Sequence, residues 1–324
     1  MKIGFIGAGR MAGSMARTVH RMTENGEDGY ELYAVTSYEY SEAEAFAKEY
    51  GFQKTYQTYE ELLSDDAVDL VYIVLPVNFH CEWTIKALNH GRHVLVEKPC
   101  AMNLAEAEQM VEAAKRNKKL LAEGMWTRYM PSREMINSMI GSGIIGPVHS
   151  VSANLGYPCS FKARLLDPKM GGGALYELSV YALNFITMIL GSDIKTVHAS
   201  CIRTETGVDG QNNIMLEYSD GKMGTTYSTI FALTSRAGVI AGEKGFIEVE
   251  NVNNPQTITA YERDWHHRRV LKTETVPEQL TGYEYELRAC KEAVESGAVK
   301  CPDSTYEDVL ASMKLLDQIQ EAMK

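Results

Sequence analysis

Gly7, Gly9 and Ala12 form the pattern G-x-G-x-x-A directly after the apolar run Lys2–Ile6, and Met11, Ala12, Met15, Ala16 and Val19 follow at helical spacing. A strand, a glycine turn and a helix in that order aim the free N–H groups and the positive end of the helix at an anion, which is how a dinucleotide pyrophosphate is held. Gly7, Gly9, Arg10, Met11 and Ala12 are therefore candidate cofactor contacts. Further along, the apolar run VLVE stops at Glu97-Lys98-Pro99. Proline lacks a donor N–H and disfavours helix in the residue before it, so Pro99 ends the strand and holds Lys98 extended at the edge where a nicotinamide would lie. A lone lysine is ordinarily a solvated charge, but at this edge it reads as a functional amine. Glu97 borders the same cofactor position; its side chain points to the opposite strand face, which suits a structural task.

The end of the second strand distinguishes NAD from NADP, because an acid there accepts from the ribose 2′-OH whereas Arg and hydroxyl side chains accommodate a 2′-phosphate. It reads Val35-Thr36-Ser37-Tyr38-Glu39. Ser37 at the acid position and Arg10 in the neighbouring loop lean toward NADP; Glu39 keeps NAD open.

Placing these groups takes a sheet whose strands alternate with helices. Strands are expected over Lys2–Ile6, 30–36, 68–75, His93–Glu97 and 119–123, and helices over 41–51, 82–89 and Leu104–Asn117. Such strands need crossovers, so the sheet is parallel and covered on both faces. A chain of 324 residues is too long for one core. From about Met125 the pattern changes to segments such as VHSVSANLGY, NIMLEYS and MGTTYSTIFAL with turn residues between them, which read as hairpins of a mostly antiparallel sheet. One helix, 174–190, opens behind Gly171-Gly172-Gly173 and carries Glu177 and Tyr181 on one face. A last helix over 305–323 has Val309, Met313, Leu316 and Ile319 in one stripe.

The fold class is thus α/β: an N-terminal Rossmann doubly wound parallel sheet (1–123), an α+β substrate-binding and oligomerisation domain with a large open antiparallel sheet (124–304), and a terminal helix (305–324). A net charge of −11 and a pI near 5.3 argue against nucleic-acid and acidic-membrane partners. The cysteines at 81, 100, 159, 201, 290 and 301 form no CxxC pair and no zinc spacing with the histidines, so free thiols in a reducing cytoplasm are expected. His266-His267, between Trp265 and Arg268, lacks an acidic partner at ligand spacing, and no metal role is assigned. The amino terminus reads as a strand rather than a leader, and no apolar run approaches bilayer length.

The stretches VDLVYIVLPVNFHCEWTIKALNHGRHVLVEKPCAMNLAEAEQMVEAA, EGMWTRYMP, ANLGYPCSF, RLLDPKMGGGALYELSVYALN, TGYEYEL and YEDVLASMKLLDQI together resemble the glucose-fructose oxidoreductase, inositol dehydrogenase and MocA family, most closely its dimeric dihydrodiol dehydrogenase branch. The resemblance covers nearly the whole chain. It implies a catalytic Lys98 facing the nicotinamide, and an acid/base at Tyr181, a position that holds His in inositol dehydrogenase-like members. A lysine ammonium would favour the phenolate of a tyrosine whose ordinary pKa is about 10. Pro76 and His80 match the family's loop beside the nicotinamide. Trp126, Arg128, Tyr157, Arg164, Asp167 and Glu177 match substrate-pocket or hinge positions. The family usually has Asp where Glu177 stands and often Gly where Ser179 stands, so the pocket differs there. In the family the last helix returns to cover the first domain, and one face of the second sheet suits a subunit interface, giving a dimer or tetramer.

The expected activity is NAD(P)-dependent interconversion of a secondary alcohol and a carbonyl on a sugar, polyol or cyclic diol. Two alternatives stand beside it: glycoside cleavage with the cofactor regenerated each cycle, and a non-catalytic dinucleotide sensor.

Overall fold

The computed structural model describes residues 1–264 and 266–324; Trp265 lies outside the described residues. The chain forms two compact units, Met1–Tyr129 with Gln279–Met313, and Met130–Glu278 with Lys314–Lys324.

The first unit is the doubly wound sheet. Its elements run β1 (Lys2–Ile6), α1 (Arg10–Glu24), β2 (Glu31–Thr36), α2 (Tyr40–Tyr50), β3 (Lys54–Thr55), α3 (Tyr59–Ser64), β4 (Leu70–Ile73), α4 (His80–Asn89), β5 (His93–Glu97), α5 (Leu104–Asn117) and β6 (Leu121–Gly124). The six strands pair in parallel in the order β3-β2-β1-β4-β5-β6. Strands covered on both faces must be apolar throughout, and Ile3, Phe5, Leu70, Tyr72 and Leu95 are buried in one cluster with Met15, Val19 and Met22 of α1. Each such side chain contributes roughly 1.5–3 kcal/mol on burial. Local signals fix the helix starts: Thr58 and Glu61 close a reciprocal capping box on α3, and the Asn103 side chain accepts the Glu106 N–H at 2.9 Å on α5.

The segment 279–304, expected in the second domain, belongs to this unit. Its helix α8 (Glu284–Ser296) buries Leu287, Cys290 and Ala293 in the same core, and Arg288 donates two hydrogen bonds to Glu27, at 2.8 and 2.5 Å. An apolar helical stripe shows that a helix is amphipathic, not which sheet it covers.

The second unit contains α6 (Pro131–Gly141), β7 (Val148–Gly156), α7 (Val180–Leu190), β8 (Ile194–Arg203), β9 (Asp209–Tyr218), β10 (Met223–Thr229), β11 (Gly238–Gly242), β12 (Gly245–Val249), β13 (Thr257–Glu262) and β14 (Val270–Thr275). The sheet order is β14-β13-β12-β11-β7-β10-β9-β8, antiparallel except where β7 and β10 run parallel. The helix expected as one α-helix over 174–190 begins instead as a π segment, Leu175–Ser179, before α7. Pro168–Leu190 is long and apolar enough to cross a membrane by length and composition, contrary to the sequence expectation, and two thirds of its apolar window is buried.

The last helix, α9 (Tyr306–Ala322), divides between the units after Met313 rather than belonging whole to the first. In its second half Gln320 Nε2 donates to the Tyr176 hydroxyl at 2.5 Å, a tie to the second unit that no apolar stripe announces.

Candidate active site

In the first unit the glycine turn is built for close approach. Gly7 has φ +112°, and a Cβ there would lie 2.8 Å from the Val74 carbonyl oxygen. A Cβ on Gly9 would meet nothing within 4 Å, so the turn faces open space. Helix α1 has no side-chain cap and no acid in its first turn. The first N–H groups, beginning at Arg10 and Met11, therefore await an external acceptor, and a pyrophosphate fits. Ala12 is buried and Arg10 is exposed.

At the end of β2, Ser37 is buried and its hydroxyl donates to Glu42 Oε2 at 3.0 Å, in the first turn of α2. Tyr38 is 87% exposed. Pro76 leads into a short 3-10 turn, Val77–Phe79, and then His80. His80 is buried, with Nδ1 3.0 Å from the Pro99 carbonyl oxygen and Nε2 2.9 Å from that of Leu75. Burial lowers its pKa to about 4, so the neutral ring donates to one carbonyl at a time and pins the loop after β4 to Pro99.

Strand β5 ends at Glu97 as expected, and the Lys98–Pro99 peptide is cis. Lys98 is half-buried; its N–H donates to Glu97 Oε2 at 3.3 Å, and the Tyr72 hydroxyl donates to Glu97 Oε1 at 2.5 Å. Glu97 thus accepts beneath the sheet edge, in keeping with the alternation of strand side chains.

Around Glu97 lie groups that sequence reasoning did not single out. Glu286 of α8 is buried with neither carboxylate oxygen hydrogen-bonded among the described residues. Burial, then the nearby Glu97, push its pKa well above the usual carboxylate range. Tyr283 stacks on Trp126 with ring centroids 4.4 Å apart and an 18° tilt, and it feels Glu97, Glu286 and Arg10 electrostatically. A TGYEYEL run far along the sequence gives no hint that it returns to the edge of the first sheet. Arg128 is only 5% exposed; it donates to Ser312 Oγ at 2.9 Å and lies 3.9 Å from Asp308, so it anchors the first half of α9.

In the second unit, Glu177 and Tyr181 are the two incompletely buried residues between 173 and 186, so they share the open side of the helix despite the π turn. Arg164 Nη2 donates to both oxygens of Glu177 at 3.2 Å, and Lys162 lies 3.9 Å from it. Asp167 accepts the Lys169 N–H at 2.8 Å and turns the chain into the glycine run. Tyr157 carries the Arg236 guanidinium 5.7 Å from its ring centroid, with Nη1 3.4 Å from the phenol oxygen. His267 has an acidic neighbour after all, Asp264 at 3.5 Å, on an exposed edge. The six cysteines are free.

Comparison with known proteins decides the family. Residues 1–125 match the model of the oxidoreductase family with an NAD-binding Rossmann fold, and residues 134–248 match the GFO/IDH/MocA C-terminal domain. The chain is 32% identical over 250 residues to the trans-1,2-dihydrobenzene-1,2-diol dehydrogenase of Bos taurus, covering 77% of this chain and 74% of that one.

The chain belongs to the GFO/IDH/MocA oxidoreductase family.

Its likeness to the dihydrodiol dehydrogenase branch extends to the Xenopus laevis enzyme, at 29% identity over 297 residues covering 91% of this chain and 90% of that one. Among solved structures, the 3-ketoreductase KijD10 from Actinomadura kijaniata, in complex with NADP and TDP-benzene, superposes with a TM-score of 0.89 at 24% identity, covering 100% of this chain and 98% of that one. Levoglucosan dehydrogenase, in complex with NADH and levoglucosan, gives a TM-score of 0.88 at 19% identity, covering 99% and 96%. Those two likenesses are of fold. This family member is an NAD(P)-dependent oxidoreductase with a six-stranded parallel Rossmann sheet.

Proposed function

We propose that the protein interconverts a secondary alcohol and a carbonyl on a sugar or cyclic diol, with Tyr181 moving the hydroxyl proton and Lys98 as the ammonium that favours the phenolate. The bound nicotinamide supplies the hydride chemistry. The observation that carries the reading is Lys98 at the carboxyl end of β5 in a dinucleotide fold, together with Tyr181 on the open side of the helix behind the glycine run. Glu177, held by two bonds from Arg164, is an anionic acceptor suited to a second substrate hydroxyl, which favours vicinal diols. The names of the dihydrodiol dehydrogenase relatives point to the same class. Lys98→Met and Tyr181→Phe should each lower turnover by about 10²–10⁴-fold. NADPH and NADH affinity, read by fluorescence, should change little in Tyr181→Phe. Full turnover in both variants would overturn the proton-transfer roles.

The enzyme is further proposed to be a cytoplasmic homo-oligomer. Exposed Met223 and Tyr227 on β10 and Ile202 on β8 supply an apolar surface for a second copy, and sedimentation at micromolar concentration reads the outcome.

A further inference from the structure

Asp209 is the first residue of β9 and is 7% exposed. Its Oδ2 accepts the backbone N–H of Leu175 at 2.8 Å and the side-chain amide of Asn212 at 2.7 Å. Asn212 Oδ1 in turn accepts the Ser179 hydroxyl at 3.0 Å. Leu175 and Ser179 are the two ends of the π segment, so one strand grips the wide turn at both ends. The other carboxylate oxygen of Asp209 faces Gly173, where φ is +110° and a Cβ would sit 2.1 Å from Oδ1. Only glycine lets the carboxylate reach the Leu175 amide.

We propose that Asp209 is a positioning residue for Tyr181: through the Leu175 amide, and through Asn212 and Ser179, it holds the π turn that sets the direction in which the Tyr181 side chain leaves the helix. The inference rests on the acid/base reading of Tyr181 given above. A π turn spends one extra residue relative to an α turn, and each residue of an α-helix accounts for about 100° of rotation. Relaxing the turn would therefore swing everything after it, Tyr181 included, relative to the glycine run. Isolated π turns are rare and need outside support, which the Asp209–Asn212–Ser179 chain supplies. The hydroxyl of Ser179 is the far anchor of that chain.

The choice of an acid is informative. Burial raises the Asp209 carboxyl to about 6, against the opposing effects of Asn212, the Leu175 amide and the Arg203 guanidinium on β8. Arg203 is the charged side chain acting on it from the adjoining strand; the helix contributes a neutral N–H and β9 a neutral amide. A neutral side chain would be cheaper to bury, whereas a carboxylate makes a stronger, charge-assisted bond to the first amide of the helix. The raised value means that burial outweighs those bonds, so the turn is held best with Asp209 protonated and loosens as pH climbs past about 6.

The test compares wild type with Asp209→Ala, Ser179→Ala and Tyr181→Phe. Oxidation of trans-1,2-dihydrobenzene-1,2-diol with NADP and NAD is followed from pH 5 to 9, alongside amide hydrogen exchange over residues 174–184 corrected for intrinsic rates. Asp209→Ala, which removes the acceptor for both the Leu175 amide and Asn212, should lower kcat at pH 8 at least tenfold, with KM and NADPH affinity within twofold. Exchange over 174–184 should quicken at least fivefold in Asp209→Ala and should quicken in wild type from pH 5 to pH 8, with a smaller gain in Ser179→Ala than in Asp209→Ala. Wild-type exchange in Asp209→Ala overturns the proposal, as does wild-type exchange that slows from pH 5 to pH 8. If the diol is not turned over, the exchange arm decides alone. Full turnover by Tyr181→Phe would instead sink the acid/base reading, while the exchange data still report on the turn.

Discussion

At the scale of single residues, what could be read in advance was local. The Gly7–Ala12 turn and the Glu97-Lys98-Pro99 stop announce themselves because backbone geometry and strand termination are set by a few neighbours in sequence. Ser37 was equally visible, but its partner was not: the Ser37 hydroxyl is engaged by Glu42, one turn into the following helix. A 2′-phosphate placed there would meet that carboxylate, whereas a ribose 2′-OH would find an acceptor. Glu42→Gln should therefore raise the ratio of NADPH to NADH affinity by roughly tenfold, worth about 1.4 kcal/mol, and Ser37→Asp should lower it. Fluorescence titration of both cofactors against both variants checks this; an unchanged ratio in Glu42→Gln would show that the carboxylate lies clear of the ribose. Trp126 and Arg128 show the opposite limit. Their motif drew attention to them, yet their partners Tyr283, Ser312 and Asp308 lie more than 150 positions away, beyond any local pattern.

At the scale of elements, the strand and helix alternation of the first unit was legible because amphipathic periodicity is a property of each segment alone. The π segment was not, since Leu175–Ser179 has ordinary helix composition and its widening depends on Asp209 and Asn212 from a distant strand. Helix α8 hides a comparable case. Its Glu286 sits against Glu97, Glu284 and Cys301 in a buried setting that favours the protonated acid. A carboxyl whose pKa is raised on folding keeps its proton in the native state after the unfolded chain has lost it, so it contributes most at low pH. That contribution fades as pH climbs past the unfolded value of about 4.3 toward the native one. Glu286→Gln, which mimics the protonated acid, should raise the melting temperature at pH 8 and leave it nearly unchanged at pH 4. Glu286→Ala should lower stability at both by about 1–3 kcal/mol through the cavity it leaves. Thermal unfolding of the two variants at both pH values decides; an equal effect of Gln at pH 4 and 8 would mean the native carboxyl is ionised.

At the scale of the whole molecule, two units were foreseeable from length and from the change of pattern near Met125, but not their interleaving. The first is completed by Gln279–Met313, and the second takes back Lys314–Lys324. Leu287, Cys290, Ala293 and Cys301 fill the core beside Met15 and Phe46, so a fragment ending at Tyr129 lacks part of its own interior. Expressed alone, residues 1–129 should fail to give a cooperative thermal transition or bind NADPH, and fusing 279–313 to it through a flexible linker should restore both. A fragment that melted cooperatively and bound cofactor unaided would show that the returning segment is dispensable.

The same interleaving orders events on the ribosome. Because synthesis proceeds from the amino terminus, the nucleotide-binding sheet emerges early yet waits, with apolar surface uncovered, until everything up to Glu278 has been translated. For that interval the nascent sheet keeps its apolar surface open to wrong partners, and dinucleotide capture follows the return of Gln279–Met313.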